Sequence, residues 1–253
     1  MLTHPVIDKL HQLKCLGMAA ALTEQLQSTA CDPLSFEERL GLLVDRELTV
    51  RDDRRMTNRL RRAKLRHPNA CIEDIDFRHP RGLDKSLILS LASGRWLREH
   101  LNVLITGPCG VGKSWLACAL AHQACRDGFS ALYQRLPRLL HDIAIARGDG
   151  TYPKLLASFA KLDLIVLDDF GLAKLNADNR RDLLELLEDR YATRSTLVTS
   201  QLPIEKWHDW LGDPTFADAI LDRLVHNAYK LKLKGGSMRK KKASLPQPDQ
   251  RTA

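Results

Sequence analysis

Nowhere does the sequence approach the roughly 18 consecutive apolar residues of a membrane-spanning helix, which excludes an integral helical membrane protein. The opening residues, MLTHPVIDKL, place no apolar segment behind a basic cluster, so no secretory leader is expected. The six cysteines (Cys15, Cys31, Cys71, Cys109, Cys118 and Cys125) include no C-x-x-C pair. Their irregular spacing fits reduced cytosolic thiols rather than a disulfide framework or a zinc knuckle. None of the nine histidines falls in H-E-x-x-H or comparable ligand spacing. No repeat recurs at a period of about 20–50 residues, so a solenoid is excluded as well.

What is present is length enough for a full core: 253 residues make one large domain or two small ones. The net charge of +8 is concentrated in two places. Residues 46–66 carry nine basic and three acidic side chains, and residues 230–242 carry seven basic and no acidic ones. The remainder is mildly acidic. A body of that kind with two basic segments is the footprint of a polyanion binder; a solvated helix face plus a flexible tail is the alternative.

Residues 5–28 read as helical. Ser35-Phe36-Glu37-Glu38 then forms a capping-box pattern ahead of a helix that runs on to about residue 66. Pro68, Asn69, Pro80 and Gly82 mark a linker, followed by short helices over 84–92 and 95–100. From Asn102 the style changes. Strands are expected over 103–106, 130–134, 162–167, 196–200 and 229–234, alternating with helices over 113–126, 137–147, 178–194 and 214–227. This alternation indicates parallel βαβ units. The expected division is an α-helical N-terminal domain over 1–66, a linker with short helices over 67–98, an α/β core over 99–236 and a basic, largely disordered tail over 237–253.

Gly107-Pro108-Cys109-Gly110-Val111-Gly112-Lys113-Ser114 satisfies G-x-x-x-x-G-K-[ST] between an expected strand and an expected helix. Glycines let such a loop turn its backbone N–H groups toward phosphates, and the helix that follows offers its positive end. Lys113 is expected to reach the β- and γ-phosphates, and the Ser114 hydroxyl to ligate magnesium. Cys109, inside the loop, is either a redox-sensitive thiol or a tolerated small residue. Leu164-Ile165-Val166-Leu167-Asp168-Asp169 supplies the other half: Asp168 to hold magnesium, directly or through water, and Asp169 to polarise the attacking water. Gln201, in Thr199-Ser200-Gln201, ends a strand where a polar side chain can sense the γ-phosphate; a plain strand-end turn is the rival. Arg223 is a candidate arginine finger acting on a neighbouring subunit, with an ordinary surface arginine as its rival.

Arg51, Arg55, Arg59, Arg62 and Arg66 follow one another at intervals of 4, 4, 3 and 4 residues. On one helix they fall within about an 80° arc and form a stripe roughly 22 Å long, suited to forked contacts with DNA phosphates. The rival is an exposed helix laced by pairs with Asp52 and Asp53, and the basic segment from Lys230 to Lys242 is a second source of charge.

The chain resembles the IstB-type ATP-binding helper proteins of bacterial insertion sequences, relatives of the helicase loader DnaC within the AAA+ ATPases. The likeness rests on LSFEERLGLLVDREL, RGLDKSLI, GPCGVGKSWLACALA, LIVLDDFG, VTSQLPIEKWHDWLGD, AILDRLVHNAY and GGSMRK. It implies an AAA+ P-loop core, its parallel sheet flanked by helices, behind a small all-α domain. It also implies Arg223 at the arginine-finger position and Arg239 at a sensor-like position near the nucleotide. Gln201 stands where relatives often have asparagine, and Cys109 where threonine is usual. The resemblance further implies ATP and Mg2+ as cofactors and a bacterial cytoplasmic setting. Its implied partners are double-stranded DNA, a separate transposase and other copies in an ATP-dependent oligomer. Two alternatives share every nucleotide residue: a DnaC-like helicase loader, and a nucleotide-gated DNA scaffold with negligible turnover. The sequence offers no spare acidic triad for DNA cleavage, so the recombinase itself is not expected.

Overall fold

In the computed structural model, which describes residues 5–238, the chain up to Asn58 packs as one unit and the chain from Arg59 as a second. The first unit holds α1 (Pro5–Gln12), α2 (Leu16–Gln27) and most of α3 (Phe36–Ala63). The capping box is present: Glu38 N donates to Ser35 Oγ, and Ser35 N to Glu38 Oε2, at 3.2 and 2.8 Å. The N-terminus of α2 rests on a carboxylate, with Gly17 N and Met18 N donating to Glu47 Oε2 at 2.7 and 3.1 Å. An acid at a helix start complements the orphan N–H groups and the positive end of the dipole.

α3 ends at Ala63, and Lys64 takes φ +50°. The helix therefore stops short of the residue 66 expected from periodicity, because a left-handed residue breaks the run before Arg66.

In the second unit, α4 (Lys85–Ala92) and α5 (Arg95–Arg98) precede β1 (Asn102–Thr106), α6 (Lys113–Arg126), β2 (Ala131–Arg135), α7 (Leu136–Gly148) and α8 (Tyr152–Ala160). There follow β3 (Leu164–Phe170), α9 (Ala177–Glu188), β4 (Ser195–Ser200), α10 (Trp207–Leu211), α11 (Pro214–Val225) and β5 (Ala228–Lys232). The sheet order is β2-β3-β4-β1-β5, every pair parallel. Side-chain alternation splits the core in two. Val103, Ile105, Leu164, Val166 and Leu197 face the α6 side, while Leu104, Ile165, Leu167 and Val198 face α7, α9 and α11. Burial on both faces is why these strands read as continuous apolar runs.

Each of the five expected strands is found, shifted by one to three residues. The helices α8 and α10 were not expected. α8 opens on a proline in its first turn and buries only Leu156 and Phe159, too short a stripe for a periodic signal. α10 has five residues and stops at Gly212. Conversely, α9 ends at Glu188 rather than 194, because Arg190 leaves the helix to bury its guanidinium against Phe159 O, Leu162 O and Ser195 O. Among the described residues no helix is long and apolar enough to cross a membrane.

Candidate nucleotide site

The sheet order brings the C-terminal ends of β1, β3 and β4 side by side, and the G-x-x-x-x-G-K-S loop leaves β1 at that edge. A crevice outside the carboxyl ends of parallel strands is where open α/β sheets bind ligands. The loop is tightly enclosed. A Cβ on Gly110 would collide with Ser237, and one on Gly112 would come within 2.7 Å of Arg81 Nη1. Both glycines also have positive φ, at 79° and 102°. Lys113 folds back over the loop, Nζ donating to Gly107 O and Pro108 O at 2.8 and 2.9 Å.

Asp168 is fully buried. Ser114 Oγ donates to its Oδ1 at 2.9 Å, and the hydroxyls of Tyr133 and Thr199 donate to its carboxylate in short hydrogen bonds. Arg66 Nη1 lies 3.7 Å from Oδ2. Burial, reinforced by the neighbouring carboxylate, pushes the Tyr133 phenol well above its ordinary range, so it stays a donor. One carboxylate and one hydroxyl leave room for phosphate oxygens and water around a magnesium ion, and this donor set fits that cation. Among the described residues no group of three His, Cys, Asp or Glu side chains is placed to hold a metal alone.

Asp169 sits within a register shift in the β3–β4 ladder between Leu167 and Phe170, and takes φ +61°. The shift re-aims its side chain into the cleft, a common use of a bulge. Phe170 then returns to the core, its ring tilted against Trp207 and Trp210 at 4.6 and 4.7 Å between ring centroids. Arg135 Nε, from the end of β2, donates to Asp169 Oδ2 at 2.6 Å.

The cleft holds about 780 Å3 and is lined by the phosphate loop, Trp115, Asp169, Gln201, Met238 and the linker between Arg66 and Arg81. This volume is of the size that takes a nucleotide-sized ligand. Gln201 and the exposed Cys109 both face it. Arg239 lies outside the described residues.

Arg223 is elsewhere. Its guanidinium bonds to the Glu188 carboxylate and, at 2.8 Å, to Ala219 O. Its carbonyl accepts from Asn102 Nδ2 at 2.9 Å, at the start of β1. The phosphate loop leaves the far end of that strand, about 16 Å away at 3.3 Å per residue.

The five arginines do not form the single outward stripe that their spacing predicts. Arg51 pairs with Glu47 at 2.6 Å and Arg55 with Asp52 at 3.2 Å. Arg59 is turned inward: its Nε donates at 2.8 Å to Cys125 O, a carbonyl in the last turn of α6 that also accepts from Gly128 N at 3.3 Å. Arg62 is exposed. Arg66 lies beyond the helix end, beside Asp168.

Three site residues escaped sequence reasoning, Tyr133, Arg135 and Thr199, while Arg66, read from its spacing as a DNA contact, lies beside Asp168 instead. Tyr133, Arg135 and Thr199 sit on the two strands that flank β3. The order of strands, had it been readable, was the signal that would have found them.

Comparison with known proteins agrees with this geometry. The family described as IstB-like ATP binding protein matches residues 8–246. An insertion-sequence ATP-binding protein of Sinorhizobium fredii, y4pL, is 54% identical over 240 residues, covering 95% of this chain and 98% of its own. The ATP-binding protein of insertion sequence IS1162 from Pseudomonas fluorescens is 55% identical over 203 residues, covering 80% of this chain and 88% of its own. Among solved structures, DnaI superposes with a TM-score of 0.56 at 21% identity, over 65% of this chain and 91% of that one. The DnaC helicase loader gives a TM-score of 0.53 at 19% identity, over 66% and 97%. At that identity the likeness is one of fold, the AAA+ core. With the family matched over nearly its whole length, the chain belongs to the IstB-like ATP-binding proteins.

Proposed function

We propose that this protein is a bacterial cytoplasmic ATPase that binds double-stranded DNA, self-associates with ATP and assists a transposase in insertion-sequence transposition. The observation that carries the nucleotide half is the bond from Ser114 Oγ to the buried Asp168, which unites the phosphate loop and the acidic strand. In this reading the loop amides and Lys113 bind the phosphates, Ser114 and Asp168 hold magnesium, and Gln201 faces the γ-phosphate. Asp169 takes the proton of the attacking water. Magnesium, when bound, supplies charge neutralisation on the β- and γ-phosphates. Arg223, remote from its own loop, serves the site of an adjoining subunit, and Arg239 joins the site from the C-terminal segment. The DNA half is supported by the exposed Arg55 and Arg62 and by Lys230, Lys232 and Lys234, exposed at alternate positions from β5 onward.

The pairing of Arg135 with Asp169 favours one alternative, a nucleotide-gated scaffold with negligible turnover, because the proton acceptor is already engaged. Phosphate release separates the two. The partner is tested by capture on immobilised duplex DNA with ATP. The protein should retain a transposase and not a replicative helicase, and Lys113→Ala should retain neither. Retention of the helicase alone would make it a loader.

A further inference from the structure

Two arginines of the second unit are buried without a carboxylate partner among the described residues, and they differ in a telling way. Arg190, 1% exposed, donates to Phe159 O, Leu162 O, Ser195 O and Thr196 Oγ1 at 2.6, 2.9, 2.5 and 3.4 Å. Each of its three nitrogens is used, and it staples loops together away from the cleft. Arg81, 3% exposed, is poorly satisfied. Among the described residues its Nη1 and Nη2 reach only Val111 O and Asp76 O, at 3.2 and 3.3 Å, and its buried Nε has no partner. Burial lowers its pKa, and Asp76 opposes this only through space.

Position gives the incomplete bonding its meaning. Arg81 lines the nucleotide cleft, with Nη1 so close to Gly112 that a Cβ there would lie 2.7 Å away. Gly112 immediately precedes Lys113. The backbone of Arg81 is fixed from the other side, its carbonyl accepting from Lys234 N at 2.9 Å. A guanidinium stays protonated near neutrality, so a buried one without counter-charge is a standing cost unless an anion arrives.

We propose that Arg81 is a phosphate-binding residue supplied by the linker, and that a bound nucleoside polyphosphate provides the counter-charge and the acceptor that its guanidinium lacks. The proposal rests on the ATP-binding reading above. It adds a second cation to Lys113, one drawn from outside the phosphate loop. It also makes the linker responsive to phosphate, because the same side chain holds Asp76 O and Val111 O.

The test uses the full chain and the variants Arg81→Met and Arg81→Lys, with thermal midpoints measured alone and with ATP, inorganic triphosphate or adenosine. In the absence of ligand, Arg81→Met should melt at the wild-type temperature or above, because an uncompensated buried cation has been removed. It should bind ATP and triphosphate at least about tenfold more weakly, with adenosine unaffected, and Arg81→Lys should recover part of the loss. An unliganded midpoint lowered by several degrees, with ATP and adenosine weakened alike, would make Arg81 a structural staple like Arg190 and overturn the proposal. So would wild-type ATP affinity in Arg81→Met. If that variant does not fold, Arg81→Lys carries the comparison: it should fold with weakened triphosphate binding, and unchanged binding overturns the proposal. A wild-type protein that binds neither ATP nor triphosphate would instead overturn the nucleotide reading as a whole.

Discussion

Arg135 Nε donates to Asp169 Oδ2 at 2.6 Å, joining the end of β2 to the acid within the register shift of the β3–β4 ladder. The pairing engages one of the two oxygens of the proposed proton acceptor, so turnover is expected to be restrained while it holds. Arg135→Ala should raise phosphate release in the absence of DNA by several-fold, and Asp169→Asn should abolish release while leaving ATP affinity near wild type. Steady-state phosphate assays on both variants, with and without DNA, check this.

Asp168 depends on donors from two strands and a helix, Tyr133 of β2, Thr199 of β4 and Ser114 of α6, with Arg66 beside it. Replacing Thr199 with Val removes one hydrogen bond to a fully buried carboxylate and should cost about 1–3 kcal/mol of stability. Chemical denaturation reads that loss. Turnover should fall further than ATP affinity, because the carboxylate is displaced relative to Ser114.

Arg223→Ala should bind ATP nearly normally and hydrolyse it poorly, since its side chain is held by Glu188 and Ala219 at the opposite end of β1 from the phosphate loop. Mixing it with Lys113→Ala should restore part of the activity, each variant supplying the half that the other lacks. Mixtures that co-assemble without recovery would remove the shared site.

The arginines of α3 and its C-terminal extension should separate by role. Replacing Arg55 and Arg62 with Gln should flatten the log–log salt slope of duplex binding by about 2 units, weakening all sequences alike. Arg66→Gln should leave the slope unchanged and impair ATP hydrolysis instead, because Arg66 lies 3.7 Å from Asp168. Removing the charges of Lys230, Lys232 and Lys234 in a separate variant measures what β5 adds.

Thiol reactivity offers a check on the cleft. Burial pushes the thiols of Cys118 and Cys125 up to about 11, so neither should be alkylated in the native protein at pH 8. Cys109, exposed on the phosphate loop, should react and be protected by ATP. Mass mapping after alkylation distinguishes these sites.

Much of the core was legible in the sequence because its signals are local. Leu164–Asp169 reads as a buried strand ending in acids, Gly107–Ser114 as a phosphate loop, and Ser35 with Glu38 as a capping box. What escaped depends on spatial neighbours. Thr199 and Tyr133 matter only because β4 and β2 flank β3, a relationship that no residue of either strand announces. The arginine stripe failed for a related reason. Periodicity gives an angle around the helix axis, but it registers neither the left-handed Lys64 that ends α3 nor the Cys125 carbonyl in the last turn of α6 that draws Arg59 inward. Arg81 opens the RGLDKSLI block, but nothing in that block announces a phosphate contact, and its importance appears only as a missing partner.

The central claim, that the phosphate loop and the acidic strand form a hydrolytic site, is tested most directly by phosphate release from ATP on duplex DNA. Wild-type protein and Asp169→Asn should be compared at nucleotide concentrations that saturate both. The account predicts DNA-stimulated release by the wild type and none above background from Asp169→Asn, with both binding ATP. Equal rates from the two proteins would contradict it.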